Sequence, residues 1–405
     1  MSAISLSSVR ETARPAVVAS TDRRWLALDL LRFLAVLLMV QGHTFTALIE
    51  DAIRPLDWYG WHRYIHGYTA PLFMFSAGLA FGVTTLKAWS KQSEWGPAAR
   101  KRVFRYALIV AIGYALQLPN SSLLPLFRGL SSDAWARVLA VNALQVIGMT
   151  LLVCQLVVLA VRDKRAFIAF SAVAGVTVVL LGPLFWRTPL EAHLPMGLAA
   201  YFTNQTGSLF PIVPWSGFIF AGIVTASMVG DVTRPERRSR VIPWLALAGG
   251  ALATVAVALD HSGFQPFGEH DFWKTSPWFF LWRLGCILPG LAAFGVFEQW
   301  HARQRSGKAD GPVLGTVRVM GQESLVIYVA HLVLLYGFML PWSMDATWSH
   351  SLEIVHALAA FGALFALMIV LARVWNHLKT RRPAQFDLLR WTLGLGTLAM
   401  LLLRG

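Results

Sequence analysis

Eleven apolar stretches, each long enough to cross a bilayer, divide this chain and constrain its fold more than any other feature. Their limits are 26–49, 65–86, 103–119, 137–161, 166–186, 209–230, 241–259, 276–298, 314–340, 352–374 and 387–403. A hydrocarbon core about 30 Å thick needs about 20 apolar residues of helix to span it. Backbone groups in lipid must be satisfied within the segment, as a helix does. The expected fold is therefore an all-α, polytopic integral membrane bundle of about 11 helices. Ten is the alternative count, because the fifth and ninth stretches are the least clean. The chain is 56% hydrophobic and only 14% charged, against roughly a quarter charged in soluble domains.

The net charge of +14 would suit a nucleic-acid partner, but its distribution along the chain argues against one. With the N-terminus placed in the cytoplasm and the spans alternating, the inner segments hold 25 of the 35 Lys and Arg residues. The outer loops then hold only Arg54, Arg63, Arg128, Arg137, Arg187 and Lys274. That is the positive-inside bias repeated at loop after loop. The basic excess reports topology and contact with anionic lipid headgroups. A multi-pass protein of the plasma (inner) membrane is expected.

Residues 1–24 lack an apolar run ahead of a small-residue cleavage site, so they read as a short disordered cytoplasmic tail. The remainder, 25–405, reads as one transmembrane domain, since no connection is long enough for a soluble one. Cys154 and Cys286 fall inside predicted spans and read as packing residues, with no disulfide framework. Ten of the 17 Trp residues, Trp215 and Trp273 among them, lie toward the outer side. An interfacial aromatic belt accounts for them, and stacking on a sugar is the sharper alternative.

Polar groups at membrane depth carry the functional reading. The first span contains Asp29, Arg32 and His43. Eleven residues at about 100° each place Arg32 and His43 within roughly 20° of one another, about 16 Å apart along the axis. Arg32 lies toward the inner end, near Asp29, and snorkelling to the headgroups would account for it. For His43 a bond to a neighbouring helix carbonyl would do the same. Arg283 is too far from the inner surface to snorkel there, and His331 sits in the middle of the ninth stretch. Two arginines and two histidines in separate spans point to a shared polar cavity. His62 and His66 form an i, i+4 pair at the entrance to the second span. Arg63 stands where a zinc-protease motif would need Glu, and no metal is expected.

The run Leu28-Asp29-Leu-Leu-Arg32-Phe-Leu-Ala-Val-Leu-Leu-Met-Val-Gln-Gly-His43 resembles the opening of the transmembrane acyltransferase superfamily. That group includes the acyltransferase-three O-acyltransferases and the heparan-alpha-glucosaminide N-acetyltransferase type. Thr69-Ala-Pro71-Leu-Phe73-Met-Phe75-Ser-Ala-Gly78, Phe210-Pro211-Ile-Val-Pro214-Trp215-Ser-Gly217 and Gly321-x-x-Ser324-Leu-x-Ile-Tyr328-x-x-His331 are similar to the glucosaminide branch. Phe33 departs from the glycine common at that position in the family.

The resemblance implies transfer of an acyl group, acetyl as the first expectation, from cytoplasmic acyl-CoA to a hydroxyl or amine of an extracytoplasmic acceptor, a glycan above all. Arg32 would hold the anionic end of CoA, with Asp29 and His331 assigned beside it to the donor. His43 would act as general base or as a covalent acyl relay. His66 is the second choice for base, and Arg283 would stabilise the thioester oxyanion. The main rival is a transporter or flippase for a polar or anionic solute, whose repeated halves with matched broken helices are not evident here. A structural membrane protein would leave the Arg32–His43 register as coincidence.

Overall fold

The computed structural model describes residues 25–230, 235–265, 268, 271–305, 311–338 and 340–404. The expected tail, 1–24, lies outside the described residues. Helices dominate the described residues, and the only β-type pairing among them is an isolated bridge between Ile49 and Leu352.

The first apolar stretch forms one continuous helix, α1 (Leu26–Leu48), so Arg32 and His43 do share a helix face. A short helix α2 (Asp57–His66) leads through Gly67 and Tyr68 into α3 (Thr69–Lys87). Next come α4 (Pro97–Ala115), α5 (Ser132–Leu139), α6 (Ala143–Val161) and α7 (Lys164–Leu180). The second half holds α8 (Ile212–Val229), α9 (Pro235–His261), α10 (Pro277–Arg305), α11 (Pro312–Gln322) and α12 (Ser324–Tyr336). Two long helices, α13 (Ile354–Arg381) and α14 (Pro383–Leu403), end the chain.

Eight helices among the described residues are long and apolar enough to cross a membrane, or nine when α11 and α12 count as one bent span. The protein is thus an all-α, multi-pass membrane protein. The two stretches beyond that number are the third and the fifth. The third lies in α4, whose first half carries Arg100, Lys101, Arg102 and Arg105. The fifth gives a helix of only 17 residues, because the chain turns at Leu181 before Gly182-Pro183. The ninth stretch is broken by 79° at Glu323. The Glu323 carboxylate is buried there and accepts hydrogen bonds from Lys379 Nζ at 2.8 Å and Asn376 Nδ2 at 2.9 Å, so α13 clamps the bend.

α1 is the hub of the bundle, in contact with α2, α3, α10, α11, α12 and α13. One apolar cluster, built from α3, α6, α8 and α10, packs against Leu28, Leu31 and Ala35 of α1. A second, from α11, α12 and α13, packs against Val36, Met39 and Val40. Between α3 and α8 the backbones nearly touch. A Cβ on Gly78 would stand 1.9 Å from Ile219 O, and one on Gly222 would stand 2.2 Å from Phe75 O. Such small-residue crossings let dispersion replace the hydrophobic drive that lipid removes. By contrast α9, α13 and α14 expose large apolar side chains such as Trp244, Val370 and Leu395, as lipid-facing helices do.

Candidate active site

Three histidines far apart in sequence converge near the C-terminal half of α1. His43 Nδ1 and His331 Nε2 are 2.8 Å apart, with the ring planes 8° from parallel. His331, which is 0% exposed, donates its Nδ1–H to the carbonyl of Ile327, 2.9 Å away on its own helix. With that proton on Nδ1, a neutral His331 presents Nε2 as an acceptor, and His43 must be the donor through Nδ1–H. The His43 Nε2 lone pair is then free. A base whose tautomer is fixed by a second group is the arrangement general-base catalysis needs.

His66 stands edge-on to His43, with centroids 5.6 Å apart. Its Nδ1 lies 3.2 Å from the carbonyl of Leu38, to which it donates. That approach depends on Gly42, because a Cβ there would fall 1.7 Å from His66 Nδ1. The Gly42-His43 pair is thus one feature, a gap for one imidazole followed by another. His62 stacks one turn away on His66 and takes the Gln41 Nε2–H on its Nδ1 at 3.1 Å.

A cavity of about 510 Å³ opens onto His43 and His66 and is also lined by Thr69, Trp215, Tyr328 and Arg283. Arg283 is 2% exposed. Its guanidinium lies 3.8 Å from the Tyr68 ring centroid and 4.5 Å from that of Tyr64, and it donates to Tyr64 O at 3.0 Å. Stacking and one backbone acceptor compensate the buried cation in part. Arg283 Nε and Trp215 Nε1 remain buried donors without a partner among the described residues, both on residues lining this cavity. A buried N–H without an acceptor is costly, and two at one cavity suit a ligand with an exposed oxygen.

The six residues singled out from sequence therefore divide. His43, His66 and Arg283 line one cavity, and His331 lies directly behind His43, in the imidazole cluster and toward the opposite end of α1 from Arg32. Asp29 is buried at that other end and accepts a hydrogen bond from Gln322 Nε2 at 3.2 Å. Arg32 is half-buried there, about 16 Å along the helix from His43. Tyr64, Tyr68 and Gly42 carry clear structural roles that the sequence reading did not single out. The i, i+4 spacing of Tyr64 and Tyr68 beside His66 was the available signal. Of the outer tryptophans, Trp215 and Trp273 line the cavity. Trp61, Trp278 and Trp282 line a neighbouring groove of about 680 Å³.

The sequence model of the acyltransferase-3 family, an acyltransferase domain, matches residues 25–373, from the start of α1 into α13. The chain belongs to the acyltransferase-3 family. It is an acyltransferase, and the matched region contains all of the imidazole cluster, Arg283 and the bent α11–α12 pair. Only α14 and the end of α13 lie beyond the match among the described helices. No curated protein matches the chain.

Proposed function

We propose that this acyltransferase moves an acetyl group from cytoplasmic acyl-CoA to a hydroxyl or amine of an extracytoplasmic glycan, in the plasma membrane, with its N-terminus in the cytoplasm. The observation that carries the reading is the His331–His43 dyad opening on a cavity with two unpartnered donors. The repeated inner excess of Lys and Arg supports the orientation. In that orientation Arg32 faces the cytoplasmic side and meets the anionic end of CoA, while the thioester reaches His43 about 16 Å further out.

The hydrogen bonds support the following chemistry. His43 Nε2 takes the proton as the acceptor oxygen bonds to the thioester carbonyl carbon. Charge develops on the carbonyl oxygen, and the N–H groups of Arg283 and Trp215 stabilise it; one such donor is worth about 10²–10³ in kcat. The C–S bond then breaks, and the imidazolium returns its proton to the departing thiolate, giving CoA thiol and the acylated acceptor. His331 takes no proton. It holds His43 in the productive tautomer, and His66, beside it in the cavity, orients the acceptor.

The test is transfer of label from radiolabelled acetyl-CoA to extracted envelope glycans by membranes with and without the protein. Label should depend on the protein and be lost in His43→Ala that still folds. Absence of transfer, or wild-type transfer in that variant, would reject the reading. A raised KM for acetyl-CoA in Arg32→Ala checks the donor end.

A further inference from the structure

A second pocket adjoins the cavity behind a thin partition. It measures about 460 Å³ and is lined by Asp133 and Arg137 of α5, Gln117 after α4, Asn142 at the start of α6, and Gln205 and Thr206. The partition is made of two short segments sewn together. Val141 N–H donates to Ser208 Oγ at 2.9 Å, and Phe210 N–H donates to Val141 O at 3.0 Å. Asn142 and Leu209 face the pocket, while their immediate neighbours Ala143 and Phe210 line the cavity. The wall between the two spaces is thus one residue thick in each segment.

The lining differs sharply from that of the cavity. Gln117 Nε2 is held by Ala140 O at 3.0 Å, and its Oε1 accepts from the Asn142 amide, so these side chains are fixed in place. Gln205 is tied to Trp186 O at 3.1 Å. Asp133 and Arg137 are one turn apart on α5, and neither makes an ion pair among the described residues. Thr206 is 7% exposed, and its hydroxyl is buried without a partner among the described residues. An orphaned hydroxyl at a pocket wall marks a place where a ligand group completes the hydrogen bonding.

We propose that this pocket is an acceptor subsite for a neutral, hydroxyl-rich ring adjacent to the one that is acylated. The inference rests on the glycan-acceptor reading above and extends it to acceptors of at least two sugar units. The charges of Asp133 and Arg137 cancel, which disfavours a carboxylate or phosphate. A sugar hydroxyl both donates and accepts. It suits a wall that offers a carboxylate, a guanidinium, amides and the Thr206 hydroxyl together. The volume is within the range of pockets that bury small ligands.

Hydrogen–deuterium exchange on the purified full-length protein tests the subsite without relying on turnover. The probes are glucose, glucosamine and N-acetylglucosamine, each alone and as the β-linked di- and trisaccharide. The di- and trisaccharides should slow exchange in 133–142 and 204–210 severalfold more than the monosaccharides. Thr206→Val, nearly isosteric, and Arg137→Gln should each raise the half-protecting concentration about tenfold or more while keeping the wild-type thermal midpoint. Absence of protection by every probe, or protection unchanged in both variants, would overturn the subsite. Acceptor-free hydrolysis of acetyl-CoA by the same wild-type preparation reads the acyl-transfer proposal separately. Hydrolysis without protection rejects the subsite alone, and protection without hydrolysis or transfer supports the subsite and rejects the acetyl-CoA reading.

Discussion

Replacing His331 with phenylalanine removes the acceptor that holds the His43 Nδ1 proton and keeps a ring of similar shape in a fully buried position. The His43 Nδ1–H would then face an apolar ring with nothing to bond. A buried donor left unsatisfied costs about 1–3 kcal/mol. The imidazole avoids that cost by shifting its proton to Nε2, which removes the lone pair proposed to take the acceptor's proton. At about 1.36 kcal/mol per tenfold, the productive tautomer should fall about 5- to 160-fold, and kcat with it. KM for acetyl-CoA should change little, because His331 lies behind His43 and is not among the residues lining the cavity. Glutamine at 331 offers an amide oxygen to the same proton and should recover part of the loss. The assay is label transfer to glycan under saturating acetyl-CoA, with thermal midpoints measured for both variants. A phenylalanine variant that folds and keeps kcat within twofold would refute the tautomer argument. So would a glutamine variant no better than phenylalanine.

Three further perturbations probe other parts of the site. Gly42→Ala should drive His66 away from Leu38 O, because the new Cβ would stand 1.7 Å from its Nδ1; overpacking of this kind costs about 1–3 kcal/mol, and wild-type transfer with an unchanged thermal midpoint would contradict it. Arg283→Lys keeps the charge but loses the planar stack on Tyr68 and the forked N–H groups, so kcat should drop about 10²–10³; a lysine enzyme of normal kcat would remove the oxyanion role. Glu323→Gln weakens the clamp on the α11–α12 bend, and since Glu323 is 5% and Lys379 48% exposed, the loss should be only about 1–2 kcal/mol; thermal unfolding should show a lowered midpoint, and an equal one would show that the carboxylate does not hold the bend.

Periodicity and depth made α1 legible, since a strictly helical segment fixes which residues share a face. They also flagged Arg283 and His331 as groups that lipid alone would not tolerate. What they did not give was pairing. His43 and His331 are 288 positions apart, and nothing local to either residue reports that they meet. The hydrogen bond that sets the His43 tautomer is therefore invisible in the sequence. The bend in the ninth stretch was hidden for a related reason. No proline marks it; the carboxylate at the break is held by Asn376 and Lys379 on another helix. In the third and fifth stretches, apolar character was legible but length was not. The cationic first half of α4 and the turn at Leu181 leave these two helices less apolar or shorter than the other spans.

The polar groups of α1 are used in two different ways, and that difference separates scaffold from chemistry. At one end the Asp29 carboxylate is buried and accepts from Gln322, while the Ala27 N–H donates to Glu298 at 3.2 Å. These contacts tie α1 to α10 and α11, and a buried charge is tolerable when it is bonded in this way. At the other end the bonds of His43 and His66 use one ring nitrogen each and leave the second toward a cavity. Arg283 and Trp215 repeat the pattern, each with a buried N–H unspent at the same cavity. A purely structural network would close on itself, because each open valence lowers stability. A transport path would favour weak contacts with the solute all along its length. Here the open valences gather around one volume, with imidazole nitrogens and two N–H donors. That arrangement suits the acyl-transfer step proposed above, with the fixed end of α1 supporting the open one.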